Sequence, residues 1–325
     1  MCVTEARECL ERHQIILYFA SIGLGLAVAW YWPGSNSLEP YVNACLALML
    51  FVTFLQVPLT ELGIAFTNIR FIGALLVGNF LFIPLLVVAL LKILPVGDPL
   101  LLLGVLFVLL TPCIDYVVTF AHLGEGDSKA LLASTPLLLV VQMLLLPVYL
   151  SLFVGAEARD LVRPEPFLHA FLFLIAAPLT LAMAVQWAAR TRRGVAKAIE
   201  GLAVLPVPAT ALVLFIVICA VVPQLGAALE SVRSVLPIYI LFALVAPVVG
   251  LATARIFALP TSERRALAFS TATRNSLVVL PLALAVPGAI PIIPAVIIAQ
   301  TLVELISELI YIRVVPRMDR MMFKG

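Results

Sequence analysis

The sequence predicts an all-α integral membrane protein of ten transmembrane helices, on three observations. Of its 325 residues, 63% are hydrophobic and only 12% charged, with a mean hydropathy of +1.17. A soluble domain is about half apolar and a quarter charged, so this chain has too little polar side chain to keep a surface wet. The apolar residues also fall into stretches of the roughly 20 residues a helix needs to cross hydrocarbon. Finally, the basic residues divide unevenly between the two sides those stretches define.

In chain order the expected spans lie at about 14–32, 38–59, 71–94, 99–120, 129–154, 166–189, 199–222, 234–258, 265–286 and 290–312. Their joints carry turn chemistry, as in "WPGSNS" (32–37), "PVGDP" (95–99), "GEGD" (124–127) and "LPTSERR" (259–265). The first span is long and lacks a small-residue cleavage site, so it is expected to be retained. With the N-terminus in the cytoplasm, fifteen Lys and Arg fall on inside segments and four on outside ones. That bias orients both ends toward the cytoplasm of a multi-pass protein in the plasma (inner) membrane.

Ten spans divide at the polar joint "GAEARDLVRPE" (155–165) into five and five. An odd number forces the second half to enter the membrane in the opposite sense. The expected domains are therefore two intertwined inverted repeats, 1–158 and 159–325, the layout of many secondary transporters. The fourth and ninth spans then correspond, and in both the apolar pattern fails. The fourth breaks at "TPCID" (111–115) and the ninth at "STATRNS" (270–276). Pro112 has no amide proton to donate, and Thr111 beside it and Thr271 and Thr273 opposite belong to the same breaks. Freed backbone groups at that depth are tolerated only against protein or a water-filled cavity. Interrupted spans at matching positions mark a binding site.

Three stretches hold nearly all the intramembrane polarity. They are Thr111, Cys113, Asp115 and Tyr116; Ser270 to Ser276; and Gln300, Thr301, Glu304, Ser307 and Glu308 along one face of the tenth span. Intramembrane charges usually face a bundle interior or water. Asp115 and Arg274 sit at equivalent points of the two breaks, either as an ion pair locking the crossing or as groups that frame a substrate or carry a proton. Glu304 has the same two readings, whereas Glu308 is expected to reach the interface beside Arg313. Gln56, Asn79, Gln142 and Gln186 read as glue between helices, and Cys45 and Cys219 as small buried hydrophobes.

The net charge of +2 does not suggest nucleic acid. The five cysteines and three histidines show no metal-ligand spacing. No GxxxxGK[ST] loop points to ATP, and no GxSxG elbow or HExxH pair points to hydrolysis. A transporter rather than an enzyme is expected, with no cofactor. Its partners are the bilayer, a small-molecule or metalloid substrate and protons; self-association as a homo-oligomer is left open.

The ten-span plan with breaks in spans four and nine resembles the bile acid:sodium symporter superfamily. Within it, "TPCIDYVVTFAHLGEGD" (111–127) resembles the arsenite efflux permeases of the yeast-type arsenical resistance branch, which carry Pro-Cys in the fourth span and a following Gly-Asp. Here these are Pro112-Cys113 and Gly126-Asp127. "QTLVEL" (300–305) resembles that branch's tenth span at Glu304, and "TATRNS" (271–276) its ninth-span break at Asn275. The chain departs from the branch in having Arg274-Asn275 in place of two asparagines, no ninth-span glutamate, and Asp115 in place of a small or apolar residue. Where the bile acid branch has a sodium-binding glutamate, this chain has Ser270 with a guanidinium nearby, which favours a proton as coupling ion.

The resemblance implies a proton-coupled exporter, an antiporter, of arsenite. Cys113 would be the thiol ligand for trivalent arsenic as transported cargo. Asp115, Arg274, Asn275 and Glu304 would complete the substrate site, with Asp115 or Glu304 taking the proton. The alternatives are transport of a small organic anion held by Arg274 and half-helix N-termini, and a membrane receptor that binds without moving its ligand.

Overall fold

A computed structural model describes residues 3–56, 68–114, 116–154, 171–284, 286 and 288–323. Among them the fold is entirely helical apart from one isolated backbone bridge. In chain order the helices are α1 (Val3–Tyr31), α2 (Val42–Phe54), α3 (Ile69–Val77), α4 (Ile83–Ile93), α5 (Pro99–Leu109), α6 (Val117–Leu123), α7 (Ser128–Phe153), α8 (Ala177–Ala189), α9 (Arg193–Leu202), α10 (Pro206–Val221), α11 (Leu229–Ile256), α12 (Thr261–Ala272), α13 (Ser276–Leu284) and α14 (Ile292–Met322). In hydrocarbon every backbone group must be paired within the protein, which leaves the helix as the economical choice for a single segment.

Six helices among the described residues are long and apolar enough to cross a membrane: Glu5–Tyr31, Pro33–Phe54, Ile69–Ile93, Ser128–Phe153, Leu229–Ile256 and Ile292–Met322. The pair α9 and α10, bent by 48°, makes a seventh if it is one span. The fourth and ninth expected spans are each split in two, as α5 with α6 and α12 with α13. The sixth is described only from Phe171 onward.

Two helices outrun the apolar stretches that predicted them. The first begins at Val3, where Arg7 and Glu11 form an exposed pair at 2.7 Å one turn apart. The last continues to Met322 through Arg313, Arg317 and Arg320. Hydropathy marks where a helix is in lipid, not where it stops.

Sequence-local signals set most helix starts. Asp98 accepts from the Leu101 amide at 3.0 Å just before α5, with Pro99 at the first helical position. Asp127 caps α7 through the Ala130 amide at 2.9 Å, and Asn68 caps α3 through the Phe71 amide at 3.2 Å.

The chain packs as two compact units, Met1–Leu59 with Pro164–Ala228, and Thr60–Arg163 with Leu229–Gly325. Each draws segments from both halves of the sequence. In the first unit α10 packs against α1 and α2, and α2 against α8. The Ser35 hydroxyl donates to the Cys219 carbonyl at 2.7 Å, and Cys219 is fully buried against Gly25. Cys45 is half-buried.

In the second unit α14 is central, packed against α5, α6, α11, α12 and α13. Its buried face runs Gln300, Glu304, Glu308, Tyr311, Val315 and Asp319 at three- and four-residue steps. Two glycines admit close helix approach. A Cβ on Gly250 of α11 would lie 2.6 Å from the Ala268 Cα of α12, and one on Gly104 of α5 would lie 2.6 Å from a Val296 methyl of α14.

At one end of this unit Asp319, 1% exposed, bridges Arg264 at 2.6 Å and Arg265 at 3.2 Å. Arg265 also pairs with Glu125. Gly126-Asp127 belongs to the same clasp. The Asp127 amide donates to the Ser262 carbonyl at 2.9 Å, and a Cβ on Gly126 would come within 2.9 Å of the Ala266 nitrogen. Only glycine lets the connector lie this close to α12. Glu263 beside it accepts from Asn68 at 2.8 Å. Desolvation, with the Asp127 charge adding a smaller push, holds its carboxyl above the ordinary range despite that hydrogen bond.

Candidate functional site

The breaks of the fourth and ninth spans meet inside the second unit. Helix α5 gives out at Leu110, and the Thr111 hydroxyl folds back onto the Phe107 carbonyl at 2.9 Å. Helix α12 gives out at Thr273, whose backbone is extended (φ −98°, ψ 130°). Between them runs an antiparallel bridge centred on Pro112 and Arg274. The Cys113 amide donates to the Thr273 carbonyl at 3.0 Å, and the Asn275 amide to the Thr111 carbonyl at 2.9 Å. Backbone groups freed by one break are thus paired by the other, without which each would carry the cost of an unmade buried hydrogen bond.

Arg274 is fully buried. Its Nη2 serves the Asn79 Oδ1 at 2.9 Å and the carbonyls of Ser270 at 2.6 Å and Thr271 at 2.7 Å. Nη1 reaches the Leu109 carbonyl at 3.4 Å, and the guanidinium carbon lies 5.5 Å from the centre of the Phe242 ring. The guanidinium therefore caps the carbonyl end of α12 and touches the end of α5, where a cation complements the helix dipole. Asn79 is brought there by a single π turn, Gly78–Phe82, between α3 and α4. It also donates to the Ser270 hydroxyl at 3.0 Å. The Tyr149 hydroxyl of α7 donates to the Phe80 carbonyl within the same turn.

Glu304 gathers the other side of the crossing. One oxygen accepts from the Tyr116 hydroxyl at 2.5 Å; the other accepts from the Arg274 amide at 2.6 Å and from the Gln300 side chain at 2.7 Å. Gln300 in turn accepts from the Ser276 hydroxyl at 2.8 Å. Glu304 thereby links α14 to the start of α6 and to both edges of the ninth-span break. Glu308, also fully buried, meets the Thr273 hydroxyl.

Of the sequence-expected residues, Thr111, Pro112, Cys113, Thr271, Thr273, Arg274, Asn275 and Glu304 come together around this crossing. Cys113 has no exposed surface, and Cys113, Tyr116 and Glu304 lie within electrostatic reach of Arg274. Thr271 takes part through its carbonyl, which Arg274 binds at 2.7 Å, while its hydroxyl turns to the Ala246 carbonyl of α11 at 3.1 Å. Asp115 lies outside the described residues, so its pairing with Arg274 has no geometry here. Among the described residues no carboxylate lies within ion-pair distance of the Arg274 guanidinium.

One position differs from its sequence reading. Glu308 is not at the interface beside Arg313, because the α14 face that carries Glu304 turns it inward. Asn79, read as glue between helices, joins the turn between α3 and α4 to the end of α12 through Ser270 and Arg274. Gln300 and Tyr116 were visible as polar residues at membrane depth, but their partners lie 188 and 24 positions away for Tyr116 with Glu304 and Ser276 with Gln300, beyond any local pattern.

At the crossing, two buried donors have no partner among the described residues, Arg274 Nε and Asn275 Nδ2. No group of three or more His, Cys, Asp and Glu is placed to hold a metal ion among the described residues.

Arg274→Gln strips the cap from the α12 carbonyls and leaves a buried network short of its cation. The expected cost is roughly 1–3 kcal/mol for each acceptor left unpaired. Asn79→Ala, which removes one acceptor, should cost about 1–3 kcal/mol. Thermal unfolding of the purified proteins in detergent reads both, and equal midpoints for Arg274→Gln and wild type would contradict this account of the guanidinium.

Compared with the curated proteins, the chain has no match. A profile described as the Sodium Bile acid symporter family matches residues 43–232, more than half of the chain. Members of that family are transporters rather than enzymes. The match agrees with the apolar helices. This protein is therefore a multi-pass membrane protein, embedded in a lipid bilayer and handling a small-molecule substrate, and it belongs to the Sodium Bile acid symporter family.

Proposed function

We propose that this protein is a secondary active transporter that exports arsenite in exchange for protons across the plasma membrane. Its ten spans form a 5+5 inverted repeat with both termini cytoplasmic. Packing within the second unit supports the repeat. There α5 meets α13 as α12 meets α6, α4 meets α5 as α11 meets α12, and α5 meets α14 as α12 meets α7. These are the contacts a two-fold relation between spans three to five and eight to ten requires. Tags in the 34–36 joint should be reachable only from outside intact cells and tags at 192–195 only from inside. Outside labelling of 192–195 would break the repeat.

The single observation carrying the substrate reading is Cys113, a fully buried thiol on the bridge between two broken helices. Arsenite at neutral pH is an uncharged trihydroxide with high affinity for sulfur. On binding, a sulfur–arsenic bond replaces one arsenic–oxygen bond, and the thiol proton leaves with the displaced hydroxide as water. The two remaining hydroxyl oxygens are acceptors for the open donors of Arg274 and Asn275. Return of water reverses the exchange on the far side as alternating access re-exposes the site. Asp115 and Glu304 are the proton-coupling groups proposed with this reading.

A second reading has its own support. The unpartnered Arg274 Nε and Asn275 Nδ2 would equally suit the carboxylate of a small organic anion. The two readings separate at Cys113, which arsenite needs and an organic anion does not. Cys113→Ser should accumulate in the membrane at the wild-type level yet lose arsenite efflux and resistance in cells lacking their own arsenite pumps. Cys45→Ser and Cys219→Ser should retain both. Wild-type efflux by Cys113→Ser would overturn thiol ligation and leave the organic-anion reading as the better one.

A further inference from the structure

The second buried carboxyl of α14 has no role in the account so far. Glu308 has no exposed surface. Its Oε1 lies at hydrogen-bond distance from the Thr273 hydroxyl oxygen, and its Oε2 has no partner among the described residues. The Thr273 hydroxyl also lies 2.7 Å from the Phe269 carbonyl, one turn back in α12.

Counting protons decides what Glu308 is. A hydroxyl has one proton, a carbonyl can only accept, and an ionised carboxylate can only accept. One arrangement gives the Thr273 proton to Phe269, the usual back-bond of a threonine at a helix end, whose carbonyl also accepts from the Thr273 amide at 3.0 Å. The contact between Thr273 and Glu308 then has no proton unless Glu308 supplies it. A neutral Glu308 donates from Oε1 to the Thr273 oxygen, and Oε2 becomes the carbonyl oxygen of an uncharged acid. That oxygen tolerates a dry, unpartnered position far better than half of a buried charge would.

Glu304, one turn away on the same face, is the opposite case. Its two oxygens accept from three donors, three of the roughly four acceptor sites of an ionised carboxylate, although the Tyr116 hydroxyl also lies 3.4 Å from the Arg274 carbonyl.

We propose that Glu308 is a proton-binding site of the transporter, held as a neutral acid against Thr273 and releasing its proton when the ninth-span break rearranges. This deepens the proton-coupled reading and rests on it. Thr273 is the hinge of the device, because its carbonyl also accepts from Cys113. A shift of the bridge at Cys113 therefore moves the group that holds the Glu308 proton.

The titratable neighbours of Glu308 are few. Glu304 and Tyr311 flank it on α14, the Tyr311 hydroxyl being engaged by the Ala243 carbonyl of α11. Arg274 stands at the break, turned toward Asn79 and the α12 carbonyls. Tyr116 at the head of α6 is on Glu304, and His122 is at that helix's far end. Helices α5 and α13 carry no titratable side chain. On α12 the ionisable groups are Glu263, Arg264 and Arg265 in the opening turns, and on α11 they are Glu230, Arg233, Tyr239 and Arg255. Asp115 lies outside the described residues.

The infrared carbonyl stretch of protonated carboxyl groups reads the state of Glu308 directly in purified protein at neutral pH. Wild type should show a band that moves on transfer to heavy water. The band should vanish in Glu308→Gln, persist in Glu304→Gln, and change position in Thr273→Val, which keeps the volume but removes the acceptor. Glu308→Gln presents an amide N–H to the same hydroxyl oxygen, so it should fold as wild type. In proteoliposomes, Glu308→Gln should exchange arsenite across the membrane at equal pH but lose accumulation driven by a pH gradient. A full band in Glu308→Gln, or gradient-driven arsenite flux at the wild-type rate, would overturn the proposal. If wild type itself moves no arsenite, the substrate reading fails, and the infrared difference alone decides whether Glu308 is the proton-bearing acid.

Discussion

Two backbone hydrogen bonds, from Cys113 to Thr273 and from Asn275 to Thr111, are what the rest of the second unit depends on. A helix broken at membrane depth exposes amides and carbonyls that lipid cannot pair. Here one broken helix solves the problem of the other. The bridge sets where Cys113 lies, fixes the extended backbone that turns Thr273 toward Glu308, and leaves the Arg274 amide free to bind Glu304. The Arg274 side chain then closes the carbonyl end of α12. In the proposed transporter, function and stability draw on the same few atoms.

The bridge tolerates little slack, and its surroundings are tight. Gly250 and Gly104 let α11 and α14 approach α12 and α5 at distances a methyl group would forbid. At one end of the unit, Asp319 and Glu125 hold Arg264 and Arg265, and the Asp127 amide is tied to Ser262. The Gly-Asp that follows the fourth span is thus explained by packing and capping. Gly126 is small enough to lie against α12, and Asp127 starts α7 while pairing across to Ser262 in the first turn of α12. Such clamping keeps the two half-helices from drifting, which a preorganised site for a small ligand requires.

Much of this was legible from the residues alone. The long apolar helices and both breaks followed from hydropathy interrupted by Pro112 and by the polar run 270–276, and the polar face of the last helix followed from its spacing. The parts that were not legible depend on long-range direction. Asn79 looked like any lone amide until a π turn aimed it at a guanidinium 195 positions away. Glu308 looked interfacial because its distance from the helix end was countable and its facing was not. The division into two units, each made of pieces from both halves, is a property of packing that no local pattern carries. The Asp115–Arg274 pair, drawn from symmetry, falls at a residue outside those described, while the described partners of Arg274 are an amide and carbonyls.

The account's central claim is that the breaks are closed by each other. Hydrogen exchange of the Cys113 and Asn275 amides, measured in lipid nanodiscs, tests it most directly. The claim predicts protection at both amides comparable to that of the α5 interior, with rapid exchange at the 96–98 joint as the internal contrast. Exchange at Cys113 and Asn275 as fast as at that joint would contradict it.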